Sequence, residues 1–189
     1  MFLRQLKEKD AEGMLEWMHD PDIQKNFRFS TADKKKEDAL KFIQKAETAL
    51  VDGKSIHLAI ADDDDEYLGT ISLKNLDLES GNAEYAISLR KKAQGRGIGT
   101  EATKELLALA FNRFHLERVY LNVLAENEKA VRLYQKCGFV YEGAFRKHLF
   151  LRGEYKTLYW YGMLREEYLK IYSENSPDCH RPNERERGE

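Results

Sequence analysis

A glycine-rich segment is the part of the chain whose residue types say most about chemistry. It comprises Gln94, Gly95, Arg96, Gly97, Ile98, Gly99 and Thr100, between an apolar run at residues 83–89 and an amphipathic stretch at about 101–114. Glycine lets the backbone turn sharply and approach a ligand closely. The first N–H groups of a helix lack intrahelical partners and lie at the positive end of its dipole. A strand, a glycine turn and a helix start therefore predict a receptor for phosphate groups. The cations Arg90, Lys91, Lys92 and Arg96 flank it, which indicates a ligand that carries a pyrophosphate.

Other interpretations compete for this segment. A P-loop requires a lysine after the last glycine, where this chain has Thr100, so that motif is excluded. The dinucleotide-binding fingerprint is satisfied in its permissive form by Gly97, Gly99 and Ala102, with Glu117 at roughly the right separation. However, a charged connector separates this loop from the preceding strand, and Glu117 comes before the next apolar run. A glycine-rich connection without any ligand also remains open.

A second pattern, at residues 127–139, narrows the choice. It contains Asn127, Ala130, the pair Leu133-Tyr134 and the pair Gly138-Phe139. Together with Gln94-x-x-Gly97-x-Gly99, it resembles the GNAT superfamily of acyl-CoA-dependent N-acetyltransferases, and the resemblance covers Arg4 to about Tyr168. Within that superfamily, the chain looks most like the branch that holds ribosomal-protein N-terminal acetyltransferases, spermidine acetyltransferases and some nucleotide-amino-sugar acetyltransferases.

The resemblance implies the GNAT fold, an α/β arrangement with a mixed central sheet, flanking helices and a C-terminal β-hairpin. Two parallel strands of this sheet splay apart, and the pantetheine arm of acetyl-CoA lies between them. A backbone N–H near Leu89 would then stabilise the developing oxyanion. The implied co-substrate is acetyl-CoA, without a metal. The residues expected to contact it are Ile87, Ser88, Leu89, Gln94, Gly95, Arg96, Gly97, Ile98, Gly99, Thr100, Asn127 and Ala130. Asn127 is equally suited to capping the helix that follows it.

Two residues are the catalytic candidates. Tyr134 matches the family's usual general acid, since a phenol with a pKa near ~10 can protonate a departing thiolate without ionising spontaneously. Its alternative role is that of an aromatic core residue. Glu84 lies on the strand before the loop, where several relatives carry a glutamate that acts as general base, often through water; a surface glutamate is the alternative. Cys137 has no evident histidine partner, so a covalent acetyl-cysteine route is disfavoured.

The acceptor is expected to be a primary amine on a protein N-terminus, a polyamine or an amino sugar. By resemblance its pocket involves the first two helices, their connection and the C-terminal hairpin. This implies roles for Trp17, His19, residues 20–29, Tyr155, Tyr159 and Tyr161. The acidic run at residues 62–66 is expected to be a solvated hairpin tip. A non-catalytic CoA-binding sensor and a nicotinamide-dependent oxidoreductase are the alternative functions.

Composition is compatible with such an enzyme. The 189 residues suit one domain, and 42% hydrophobic with 34% charged residues is typical of a globular chain. A net charge of −2 argues against nucleic acid as a partner. We see no run of roughly 20 apolar residues and no secretory signal, which predicts no membrane association and a cytoplasmic protein. The two cysteines form no framework or metal-like cluster, as expected in a reducing compartment.

Periodicity and turn residues predict the order of the elements. Strands are expected at residues 2–6, 55–61, 67–73, 83–89, 118–124, 139–150 and 155–164. Helices are expected at residues 10–19, from 31 or 33 to 51, at 101–114 and at 127–136. The strand–helix–strand unit around the glycine loop predicts a parallel crossover. We expect one domain at residues 1–172 and a disordered tail at 173–189. Exposed strands in such folds often pair between subunits, so a homo-oligomer is compatible with the sequence.

Overall fold

One mixed β-sheet organises the chain. The computed structural model describes residues 1–27 and 29–172, and the predicted tail lies outside this part. The sheet has seven strands in the order β1-β2-β3-β4-β5-β7-β6. They are β1 (Phe2–Gln5), β2 (Ile56–Ala61), β3 (Tyr67–Asp77), β4 (Asn82–Leu89), β5 (Arg118–Leu124), β6 (Val140–Leu151) and β7 (Glu154–Leu164). The helices are α1 (Ala11–His19), α2 (Pro21–Gln24), α3 (Lys36–Val51), α4 (Ile98–Ala108), α5 (Glu128–Lys136) and α6 (Arg165–Tyr172).

Helices cover both faces of the sheet, and each face has its own apolar core. One core packs α4 and α5 against alternate residues of the central strands, including Ile71, Tyr85 and Leu121. The other packs α1 and α3 around Met14, Ile43 and the strand residue Ala59. Burying apolar surface on both sides of a sheet is the main stabilising contribution in such layered folds. We call these two sides the α4–α5 face and the α1–α3 face.

The parallel pair β4 and β5 separates soon after it begins. Pairing joins Asn82, Ala83 and Glu84 to residues 118–120 and then stops, although both strands continue. Beyond this point β4 remains paired with β3, and β5 remains paired with β7. A V-shaped cleft therefore opens between residues 85–89 of β4 and 121–124 of β5. This confirms the predicted fold class, with its splayed parallel strands.

Some predicted boundaries differ from the structure for identifiable reasons. Helix α3 begins at Lys36, later than expected, because the Thr31 hydroxyl donates to the Met18 carbonyl at 2.6 Å instead of capping the helix. Asp38, in the first turn of the helix, accepts from the N–H of the preceding residue Lys35 at 3.0 Å, as the third residue of a capping box does. The run at residues 62–66 is not simply a solvated tip. Asp65 in this turn forms ion pairs with Arg4, Lys7 and Lys9, and hydrogen bonds from the lysines hold its pKa well below the ordinary value.

Candidate functional site

The cleft exposes an unpaired backbone edge of β4. The Arg90 N–H donates to the Leu68 carbonyl on β3 at 2.9 Å. Because neighbouring residues of a strand direct their peptide groups to opposite edges, Ile87 and Leu89 direct theirs towards β5, beyond the last paired residues. The Leu89 carbonyl accepts from the Gln94 side chain at 3.2 Å. The Leu89 N–H thus lies on the edge where the predicted oxyanion donor is needed.

The glycine loop presents a series of unpaired N–H groups at the mouth of this cleft. Gly95 and Gly97 have φ values of 74° and 82°, in the left-handed region that glycine adopts without strain. Within the described chain, the five N–H groups of residues 95–99 make no hydrogen bond, whereas those of Thr100 and Glu101 donate to the Gly97 carbonyl. Helix α4 begins here without a side-chain cap. Successive free N–H groups at a helix N-terminus form a binding site for anionic oxygens.

The prediction that the cations beside the loop face the phosphates requires a correction. Arg90 was expected to face the phosphates, but it is buried and its guanidinium binds Glu16, Glu66 and the Tyr67 carbonyl. Lys91 pairs with Asp22, and Lys92 pairs with Glu66. Arg96 is exposed and forms no ion pair within the part of the chain that the structure describes. The phosphate site therefore consists mainly of backbone groups, with Arg96 as the available cation.

Tyr134 lies on α5, where its ring joins an aromatic cluster on the α4–α5 face. It packs edge-to-face against Tyr85 at 5.8 Å and Phe139 at 6.0 Å between ring centroids, with Tyr161 at 6.4 Å. Burial raises the pKa of the Tyr134 phenol above its ordinary value, and the nearby Cys137 adds to the shift. The hydroxyl therefore stays protonated at neutral pH, as a general acid must. The cluster fixes the ring, so both expected roles, acid and core residue, are compatible with this position.

Glu84 lies on the opposite face of the sheet. It is paired in register with Tyr120, which stacks on Trp160, and these three side chains share the α1–α3 face. The two Glu84 carboxylate oxygens accept from Lys74 and Asn75, each at 2.9 Å. A role as base requires water or the amine to reach an acceptor site of the carboxylate other than those used by Lys74 and Asn75, or to replace one of these donors. The splayed strands thus separate the two catalytic candidates, with Glu84 on one side and Tyr134 on the other.

Comparison with known proteins identifies the family. Residues 1–140 match the family model described as an acetyltransferase (GNAT) domain. The chain belongs to the GNAT acetyltransferase family. It is therefore an acetyltransferase, and enzymes of this family take the acetyl group from acetyl-CoA. Membership also shows that the nicotinamide-dependent alternative is wrong.

Individual relatives agree with this assignment. The chain is 26% identical to an uncharacterized N-acetyltransferase, p20, of Bacillus licheniformis, over 88% of this chain and 93% of that protein. It is 30% identical to the spermidine N(1)-acetyltransferase of Vibrio cholerae, over 62% and 68% of the two chains. The putative ribosomal N-acetyltransferase YdaF of Bacillus subtilis is 34% identical over 56% and 57%. A crystal structure of spermidine N-acetyltransferase from Vibrio cholerae superposes with a TM-score of 0.80, 24% identity and coverage of 89% and 97%, which shows the shared fold.

The predicted acceptor aromatics of this acetyltransferase are divided between the two faces. Tyr161 is buried beside Tyr134 on the α4–α5 face, and Tyr159 shares that side by strand alternation. Trp17 is buried on α1, where it stacks on Phe27 and donates to the Tyr67 hydroxyl at 2.9 Å. His19 contacts the Lys34 carbonyl at 2.7 Å. On the α1–α3 face, the strands next to Glu84 contribute two further aromatic side chains, Tyr120 and Trp160, which sequence reasoning missed. The sequence signal that could have identified them is that Tyr120 and Trp160 alternate with core residues along β5 and β7.

A buried hydrogen-bonded chain that the sequence did not reveal supports the loop of the acetyltransferase. The Tyr85 hydroxyl bonds the Thr103 hydroxyl at 2.7 Å, and Thr103 donates to the Gly99 carbonyl at 2.5 Å. A Cβ on Gly99 would lie 3.2 Å from the Leu89 side chain, so the start of α4 packs closely on β4.

The thiol of Cys137 is buried, and burial raises its pKa. A protonated, buried thiol supports a packing role rather than covalent catalysis.

Asn127 caps helix α5, since its side-chain oxygen accepts from the Ala130 N–H at 3.3 Å. Contact with the cofactor stays a prediction, and two substitutions separate the roles. Asn127→Ala should lower the stability by about 1 kcal/mol because the cap is lost. Asn127→Ser should restore most of that stability because serine also caps helices. If Asn127 also contacts the cofactor, Asn127→Ser should still bind CoA more weakly than wild type in calorimetric titration. Wild-type affinity in Asn127→Ser would leave capping as its role.

Within the described residues, no helix combines the length and apolar character needed to cross a membrane. Over the same residues, no group of three or more histidine, cysteine or carboxylate side chains is arranged to hold a metal ion.

Proposed function

We propose that the chain transfers acetyl from acetyl-CoA to a primary amine by direct attack within a ternary complex. One observation carries this proposal: the free backbone edge of β4 and the five free N–H groups of the loop adjoin a cleft with Glu84 on one face and Tyr134 on the other. This arrangement lets an amine approach from the α1–α3 face while the proton donor lies on the other side. A covalent acetyl-enzyme is not required.

The residues present fit acetyl-CoA. The backbone of residues 94–100 would hold the diphosphate, and Arg96 would add charge. Ile87, Ser88 and Leu89 would line the pantetheine arm, with the Leu89 N–H at the thioester carbonyl. Asn127 and Ala130 would contact the cofactor from the start of α5. When bound, acetyl-CoA supplies an activated acetyl group and a thiol leaving group.

The side chains then have separate tasks in proton transfer. A protonated alkylamine, with a pKa around ~10, must lose a proton before it attacks, and Glu84 would accept that proton through water. Tyr134 would donate its phenolic proton to the departing sulfur. These roles follow from position and residue type, and each can be tested separately.

The acceptor is proposed to be a protein N-terminus, a polyamine or an amino sugar. Relatives whose names specify spermidine and ribosomal acetyltransferases support this range. The structure brings the proposed walls of the acceptor pocket together, because Arg152 at the β6–β7 turn donates to the Gln24 and Lys25 carbonyls at 2.7 and 3.2 Å. We also propose a cytoplasmic location, and a homo-oligomer stays compatible with the fold.

Thiol release tests this function directly. The wild-type protein is mixed with acetyl-CoA and with spermidine, glucosamine or a short peptide that has a free N-terminus, and free CoA thiol is measured. We expect amine-dependent thiol release with at least one acceptor class, and mass spectrometry should show the acetylated amine. Calorimetric binding of CoA without turnover of any amine would instead indicate a non-catalytic CoA sensor. Absence of CoA binding would contradict the proposal.

A further inference from the structure

Arg90 is a buried charged residue next to the cofactor loop. It is 8% exposed, and its guanidinium makes four short contacts. Nε and Nη2 donate to the two oxygens of Glu16 at 2.7 and 2.6 Å, while Nη1 donates to the Tyr67 carbonyl at 2.7 Å and to Glu66 at 3.0 Å. The two-pronged contact with Glu16 uses the planar fork that distinguishes arginine from lysine.

The position of Arg90 in the chain links two parts of the proposed site. It directly follows Leu89, the last residue of β4, and its carbonyl accepts from the Ala93 N–H at 2.9 Å in the turn that starts the loop. Its partner Glu16 belongs to α1, next to Trp17, which stacks on Phe27 in the connection proposed to form the acceptor wall. One side chain therefore joins the start of the cofactor loop to the acceptor-side helix.

The neighbouring cation Lys91 also connects the loop to the acceptor side, but its contact is weaker. Lys91 reaches Asp22 at 3.1 Å, but both side chains are mostly exposed. Exposed ion pairs contribute little to rigidity because solvent screens them. The Arg90 side chain is only 10% exposed. Its partner Glu16 is 57% exposed, but the two parallel hydrogen bonds between them define the geometry more firmly than a single exposed pair does.

We propose that Arg90 is a positioning residue that holds α1 in a fixed relation to the start of the cofactor loop, and so sets acceptor affinity. This proposal rests on the proposed function. Loss of contacts that bind the amine equally well in the ground state and the transition state raises KM and leaves kcat unchanged. A single clamp between the walls that hold the two substrates is therefore expected to affect KM.

Matched variants separate positioning from stability. Arg90→Gln removes the clamp. Arg4→Gln removes another arginine whose side chain is also 10% exposed, which lies on the edge strand β1 and binds Asp10, just before α1, and Asp65 in the β2–β3 turn, but not Glu16. Glu16→Gln weakens the arm towards α1, whereas Glu66→Gln weakens the arm towards the β2–β3 turn. For each variant, melting temperature, CoA Kd by calorimetry, and kcat and KM for the best amine of the panel are measured.

We expect Arg90→Gln to raise the acceptor KM on the order of tenfold and the CoA Kd on the order of fivefold, with kcat at saturation nearly unchanged. Glu16→Gln should raise the acceptor KM alone. Glu66→Gln and Arg4→Gln should leave both constants within about twofold of wild type, even where the melting temperature falls.

Two results would overturn the positioning role. One is an equal effect of Arg90→Gln and Arg4→Gln on KM, and the other is an equal effect of Glu16→Gln and Glu66→Gln. If no amine of the panel is acetylated, the proposed function fails. The CoA affinities alone then decide whether Arg90 positions the loop. A weaker CoA affinity in Arg90→Gln than in Arg4→Gln supports the clamp, and equal affinities overturn it.

Discussion

Replacing Tyr134 by phenylalanine is expected to lower kcat by about 10²- to 10⁴-fold, the usual contribution of a positioned general acid. Phenylalanine keeps the ring, and with it the edge-to-face packing on Tyr85 and Phe139. The aromatic cluster should therefore stay intact, and the CoA Kd should change little. The decisive measurement is single-turnover acetylation under saturating acetyl-CoA, because slow product release would otherwise conceal the loss.

Tyr168→Phe is the control for this variant. Tyr168 is a buried tyrosine of the same apolar core, stacked on Phe111 and bonded through its hydroxyl to Asn112, so its substitution removes a phenolic hydroxyl away from the cleft. The control variant should retain most of the activity.

The pH dependence of the wild type gives a further test. Because the pKa of Tyr134 is raised, wild-type kcat should not fall between about pH 7 and 9 through loss of the acid. Full single-turnover activity in Tyr134→Phe would show that the tyrosine serves packing alone.

Features that depend on neighbouring residues could be predicted from the sequence. Glycines at residues 95 and 97 indicated a backbone turn, and both have positive φ in the structure. The β5 strand was expected at residues 118–124, where the structure has it. The turn of the hairpin at Arg152 and Gly153 also occurs where expected. Local propensity and turn chemistry determine these features, and both can be read without knowledge of tertiary contacts.

Features that depend on distant partners could not be predicted in this way. Arg90 looked like a phosphate ligand because it lies beside the loop, but its main partner, Glu16, is 74 residues away. The Glu84 contact with Lys74 likewise depends on strand register. The separation of β4 from β5 came from the family resemblance, since periodicity specifies a strand but not where its pairing ends. Helix α6 was not predicted at all.

The second large effect is expected at the backbone of the cofactor loop. Gly97 is the N-cap of α4 and has φ 82° and ψ −16°, a left-handed conformation that costs other residues about 1–2 kcal/mol. A Cβ at this position would meet no atom within 4 Å, so Gly97→Ala acts through backbone strain rather than through a clash. Relaxation of that strain would turn the adjacent N–H groups away from the diphosphate. Losing one hydrogen bond to a charged group, worth about 1.5–3 kcal/mol, should raise the CoA Kd about 10- to 100-fold.

Gly53→Ala separates this effect from general destabilisation. Gly53 follows α3, has φ 66° and is equally open, so alanine there should cause a similar loss of stability. Because Gly53 is far from the loop in the chain and in the fold, we expect Gly53→Ala to bind CoA as tightly as wild type. Calorimetry should therefore show a weakened CoA complex for Gly97→Ala only, while thermal melts fall for both variants. Equal CoA affinities in the two would mean that side chains, with Arg96 the first candidate, hold the diphosphate, and that the free N–H groups of residues 95–99 do not form its site.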